Sequence, residues 1–355
     1  MKNHTISDSN SWYTKFGQYH NLSFSNNARQ PFDTLIQERK VETAYSTTRT
    51  MEWEVNLIEW LQKTVGDLNG TFISALGFLG GEMGLLLVAL IVLFCWKKES
   101  GKRLALIIAA VNSWLPMIKS VVLRPRPYME HPDRVRGVAD VGNNAPLTDV
   151  AAHGYSFPSM HSASVMALFI PLAREVKKKW MWILVGIIIF LVGLSRSVTG
   201  MHYPTDVLAG WALGLICVGI CTLLEKKVKN EWIRHLILLG SVLPGLFYVR
   251  TDDYFTALGL MIGIIAAIHF EEKFVNFSDT RNLWAMILRV VGAFGIFIVL
   301  NKLLKMPFSE EFLKGGTLGA FLIRTARYAI IVFAMIGVYP MVFPLFEKIG
   351  KKGKD

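Results

Sequence analysis

The 355 residues are 52% hydrophobic and 18% charged, against roughly 25% charged in an ordinary soluble chain. With 38 basic and 27 acidic side chains the formal net charge is +11, an excess that suits the cytoplasmic loops of a membrane protein and does not call for nucleic acid. The three cysteines, Cys95, Cys217 and Cys221, sit inside apolar runs and read as small fillers, so a disulfide framework and a metal cluster are set aside with the soluble two-domain reading.

Residues 1–52 are polar and lack apolar periodicity or a signal-peptide core, so a loosely ordered tail is expected. Glu54 to Val65 then places Val55, Ile58, Leu61 and Val65 on one helical face, the pattern of an amphipathic helix at a membrane surface. Tail and helix make a first region, 1–70. Apolar segments of spanning length follow, about 20 residues each. They are expected near 72–96, 104–122, 159–172, 180–194 and 205–224, a core region 71–224 with five spans. Four more, near 235–249, 255–270, 283–304 and 317–346, form an extension, 225–355. The fold class is all-α, a polytopic bundle of about nine spans.

Short loops at 97–103, 174–179 and 225–234 and the tail from Lys348 each carry four Lys or Arg. Alternating spans put all four on one side, which the positive-inside rule makes cytoplasmic. The N-terminal tail and the opposite loops then face outward.

Three polar clusters interrupt the apolar pattern, and the topology brings all of them to the outer side. Lys119 to Pro127 (KSVVLRPRP) closes the second span, Ser156 to His161 (SFPSMH) opens the third, and Ser195-Arg196 with His202 and Asp206 joins the fourth to the fifth. Lys119, Arg126 and Arg196 offer cationic donors that match phosphate oxygens. Pro158 before a helical run fits a turn whose N–H groups, from Ser159 to His161, face an anion, and Ser159 adds a hydroxyl. Asp206, four residues after His202, can hold one ring nitrogen protonated and leave the other to attack phosphorus. His161 can protonate the leaving oxygen. The chemistry needs no metal or other cofactor. A single Lys or Arg at a helix end more often snorkels; three cations and two histidines meeting at one depth would be costly near lipid without a function.

The spacings Lys-x6-Arg-Pro, Pro-Ser-x-His and Ser-Arg-x5-His-x3-Asp, in this order over residues 119–206, resemble the type 2 phosphatidic acid phosphatase superfamily, which includes lipid phosphate phosphatases, glucose-6-phosphatase and vanadium haloperoxidases. The resemblance implies a helical phosphatase core with His202 as nucleophile, Asp206 as its orienting partner and His161 as acid. It implies that Lys119, Arg126, Ser159 and Arg196, with the backbone at Met160, hold the phosphate. Met160 departs from the pattern, which usually has Gly there. The total length and nine-span plan look like glucose-6-phosphatase.

The expected function is therefore hydrolysis of a lipid phosphomonoester or pyrophosphate (prenyl, sphingoid or glycerolipid) at the non-cytoplasmic face of a bacterial plasma membrane, through a phosphohistidine. The bilayer and an amphiphilic phosphate are the expected partners, with no nucleic acid. The alternatives are a sugar-phosphate phosphatase and, from another class, a non-catalytic lipid-binding scaffold or transporter. His131 and His153 read as solvated loop residues, and Arg289, Arg324 and Arg327 as snorkelling or buried pairs.

Overall fold

A computed structural model describes residues 51–66, 70–138 and 153–349, all within one compact unit, Thr48–Asp355. The expected loose tail lies outside the described residues. Those described are helical, with no strand among them.

Helix α1, Glu52–Val65, buries Val55, Ile58 and Leu61 but leaves Val65 exposed at the helix end. Its exposed Trp53 and Trp60 are the interfacial residue type expected at a membrane surface. The segment expected as one first span is broken into α2, Thr71–Gly80, and α3, Glu82–Ile91 with a wider turn over Val92–Trp96, bent by 63°. Glycine makes the break possible: a Cβ at Gly84 would lie 2.1 Å from the Phe78 carbonyl oxygen. Glu82 thus sits at the bend, as the first residue of α3.

The other apolar segments each become a helix. These are α4 (Lys98–Val122), α6 (Met160–Val176), α7 (Lys179–Val198), α8 (Pro204–Lys227), α9 (Glu231–Val242), α10 (Asp252–Phe270), α11 (Leu283–Leu303) and α13 (Leu318–Val332). Short turns α5 (Pro127–Glu130), α12 (Glu310–Lys314) and α14 (Phe343–Phe346) complete the set. Among the described residues, six helices are long and apolar enough to cross a membrane, or seven if the bent pair is one span. Helix α6, with 17 residues, and α9, with 12 before a tight turn over Leu243–Phe247, fall short of that length. The overlong last segment is interrupted after Val332, where the coil first widens and then tightens up to Pro340.

Two packing features place the site. On α8, a Cβ at Gly210 would lie 2.5 Å from the Ser159 carbonyl oxygen and one at Gly214 2.4 Å from that of Ala163. This small-xxx-small stripe lets α6 and α8 approach backbone to backbone. The extension packs on the core directly: Leu90, Phe94 and Ile107 share one buried cluster with Tyr254, Phe255, Met261, Phe321 and Phe343. Cys217 and Cys221 lie in the same cluster, as unpaired apolar fillers.

Basic loops meet at one end of the bundle. Lys97 pairs with Glu175, Arg103 with Glu225, and Lys102 with Glu272 at 2.9 Å. They line a polar cavity of about 370 Å³ together with Arg234 and His235.

Candidate active site

At the opposite ends of α4, α6, α7 and α8 the three polar clusters converge. Helix α4 stops just after Lys119, where Leu123 takes a left-handed conformation (φ 54°) and turns the chain into the extended Arg124–Pro127 segment. Lys119 and Arg126 are buried. Lys119 Nζ donates to the Tyr155 carbonyl at 2.6 Å; Arg126 donates to the carbonyls of Gly154 (3.0 Å), Met201 (3.2 Å) and His153. His153, expected to be solvated, is buried against Tyr128 instead, because its backbone belongs to this cradle.

Ser159 caps α6 and is fully buried. Its N–H donates to the Asp206 carbonyl at 3.0 Å, and its hydroxyl oxygen accepts from the Ser162 hydroxyl at 2.9 Å. The expected run of anion-facing N–H groups therefore loses its first member. The first helical turn supplies those of Met160 and His161, which have no intrahelical acceptor. The Met160 side chain packs against the apolar cluster, so the residue can lend its N–H while its bulk lies in the core.

Arg196 is buried in the last turn of α7, and its carbonyl accepts from the N–H groups of Met201 and His202 at 3.1 and 3.2 Å. Gly200 (φ 70°) closes that turn; a Cβ there would lie 2.4 Å from the Arg136 carbonyl oxygen. His202 is 3% exposed, with Nδ1 2.7 Å from the Ser156 carbonyl oxygen. A carbonyl can only accept, so Nδ1 carries the proton and Nε2 keeps its lone pair. Burial first, then the charges of Arg126, Lys119, His161 and Arg196, hold the imidazole well below its ordinary pKa of 6.5. The ring is therefore neutral at physiological pH, with Arg126, Lys119, His161 and Arg196 within electrostatic reach of it.

The expected His202–Asp206 contact is looser than the spacing suggests, at 3.8 Å. Asp206 is drawn elsewhere: Oδ2 accepts the Tyr203 N–H and Oδ1 accepts from Arg124, both at 2.8 Å. Sequence reasoning missed this network. Arg124 also donates to Glu54 at 2.7 Å and stacks its guanidinium 3.9 Å over the Tyr203 ring, while Glu54 accepts from the Thr205 hydroxyl at 2.6 Å. Glu54 comes from α1 and is fully buried. The one available signal was an acid on the apolar side of α1, next to Val55.

Helix α2 forms a side-chain-free wall. A Cβ at Gly77 would lie 3.0 Å from the Arg196 guanidinium, and Gly80 and Gly81 face the His161 ring. Lys119, Arg126, Ser159, His161, Arg196, His202 and Asp206 thus meet around one point. No group of three His, Cys, Asp or Glu among the described residues could hold a metal ion.

Comparison with known proteins identifies the family. Residues 100–229 match the PAP2 superfamily, and residues 255–352 match the PAP2 superfamily phosphatase, transmembrane extension. The chain thus carries a PAP2 superfamily domain followed by that superfamily's transmembrane extension. It is similar to phosphatidylglycerophosphatase B of Bacillus subtilis, 35% identical over 95 residues that cover 24% of this chain and 46% of that one. Over 60 residues, 17% of this chain and 29% of the other, it is 47% identical to an undecaprenyl-diphosphatase of Sulfolobus acidocaldarius. Over 62 residues, again 17% and 29%, it is 39% identical to a bacitracin transport permease protein of Bacillus licheniformis. The chain spans less than half the length of each of these relatives. No solved structure matches it.

Proposed function

We propose that the protein is an integral membrane phosphatase that hydrolyses a lipid phosphomonoester or pyrophosphate at the non-cytoplasmic face of a bacterial plasma membrane. The observation that carries this reading is the neutral His202 ring, with its Nδ1 proton held by Ser156 and four cationic or ionisable groups around it. Nε2 attacks phosphorus as the bond to the leaving oxygen breaks. The electron pair goes to that oxygen, and the His161 imidazolium supplies its proton. Water, deprotonated by the now neutral His161, then attacks the phosphohistidine, breaks the P–N bond and releases inorganic phosphate. Lys119, Arg126, Arg196, the Ser159 hydroxyl and the first-turn N–H groups of α6 balance the charge on the phosphoryl oxygens. No step calls for a metal.

Nine crossings fit the helix order, counting the bent pair as one span and adding α6 and α9. The basic loops gathered at one end of the bundle support a cytoplasmic assignment for that end. An amphiphilic substrate suits a site at head-group depth, and two of the relatives are named for lipid phosphatases. The permease name of the third favours transport, yet a transporter has no use for an activated imidazole. The test is phosphate release by purified protein in EDTA on a panel of lipid phosphates, lipid diphosphates and glucose 6-phosphate. Lipid-specific, metal-free turnover that His202→Ala abolishes is expected; turnover of the sugar phosphate alone, or an unimpaired variant, would sink the proposal.

A further inference from the structure

Helix α13 carries two arginines, three residues apart, well inside an apolar segment. Arg324 pairs with Asp252 at the start of α10. Arg327, nine positions after Leu318 and so about 13 Å along the helix, has no such partner. It is 4% exposed, its Nη2 donates to the Asn301 amide oxygen at 2.8 Å, and its Nε meets no acceptor among the described residues. No ion pair among the described residues includes it. Arg289, the other buried arginine of the extension, also leaves its Nε orphaned, but it has Glu347 at 3.0 Å and the carbonyls of Phe94 and Ser278. A guanidinium withdrawn from water without an acid is costly. Arg327 moreover stands within electrostatic reach of two further cations, Arg324 and Lys305.

This cluster lies at the catalytic end. Arg324 and Asp253 are within electrostatic reach of Glu82, which follows Gly81, and a Cβ at Gly81 would lie 3.7 Å from His161 Nε2. The bend between α2 and α3 is thus a wall with the phosphoryl site on one side and the α13 arginines on the other.

We propose that Arg327, held by Asn301 and flanked by Arg324 and Lys305, is a second anion site that takes the negatively charged head group of a lipid. The anion comes from a bilayer lipid or from a second charged group on the substrate. This rests on the membrane phosphatase reading only for the second source.

Two measurements test it. The first is the thermal midpoint of wild type in phosphatidylcholine vesicles, with and without phosphatidylglycerol. The second is the ratio of KM values for a lipid diphosphate and the matching monophosphate, in wild type, Arg327→Gln and Arg327→Lys. A bilayer ligand raises the wild-type midpoint, and Arg327→Gln cancels the rise while Arg327→Lys keeps it. A substrate anion instead makes the KM ratio rise by about tenfold in Arg327→Gln, the weight of one hydrogen bond to a charged group. Should Arg327→Gln not fold, the wild-type midpoint and Arg327→Lys decide. A midpoint indifferent to phosphatidylglycerol together with an unchanged KM ratio overturns the site. A protein that hydrolyses no lipid phosphate yet binds phosphatidylglycerol through Arg327 would refute the enzymatic reading and leave this one standing.

Discussion

His202 is buried among like charges, which sets the sign of two pH effects. Its folded-state pKa lies well below the ordinary 6.5, so between those values the unfolded chain binds the extra proton. Stability contributed by the neutral ring is therefore present above 6.5 and is lost as pH falls towards the folded value. In kinetics the acid limb of kcat/KM is expected well below pH 6.5. Removing one surrounding cation, as in Arg196→Gln, is expected to move that limb upward, and a pH–rate profile of the residual activity checks it. A limb that stays in place would mean that burial alone sets the ring's proton affinity. The histidines and cations of the site were legible because their spacing is fixed by helix geometry. The Ser156 carbonyl that orients His202 was not: a backbone acceptor has no side chain to advertise it, and the i,i+4 spacing of His202 and Asp206 pointed to the carboxylate instead.

Helices position these residues through contacts at either end of the site. The α6–α8 crossing depends on Gly210, where any side chain meets the Ser159 carbonyl. Gly210→Val is expected to cost about 1–3 kcal/mol by overpacking and to remove most activity, since it pushes the Ser159 cap away from Asp206. Thermal unfolding and phosphate release measured together check this; full activity with a lowered midpoint would show that the crossing is structural only. At the other contact, α1 inserts Glu54 into the Arg124–Asp206–Thr205 network. Glu54→Gln takes one acid from a buried cation and is expected to destabilise by about 3 kcal/mol, read by denaturant unfolding in detergent. The helix itself was readable from Val55, Ile58 and Leu61. Its partner was not, because Arg124 lies 70 residues away in sequence and long-range ion pairs leave no local periodicity. Val65 fails for a simpler reason: it occupies the last residue of the helix, where the buried face has run out.

For the molecule as a whole, the expectation is a bundle with its basic loops inside and its catalytic cluster outside. Asp133→Cys, in an exposed loop at the catalytic end, is expected to react with an impermeant thiol reagent on intact cells; Lys178→Cys is expected to react only after permeabilisation. The reverse pattern would invert the topology. The order and class of the elements were legible from hydropathy, whereas the break at Gly80–Gly81 and the irregular end of the last segment were only partly so. A window of apolar residues reports transfer free energy and is blind to the direction of the helix axis.

The stretch from His153 to Ser156 has a mechanical consequence. Three of its carbonyls accept hydrogen bonds from Lys119 and Arg126, and the fourth orients His202. On the proposed reading, a phosphate would compete for these cationic donors, so taking up the ligand and aiming the ring are linked through one short strip of backbone. Whatever shifts this strip is expected to alter affinity and turnover in step.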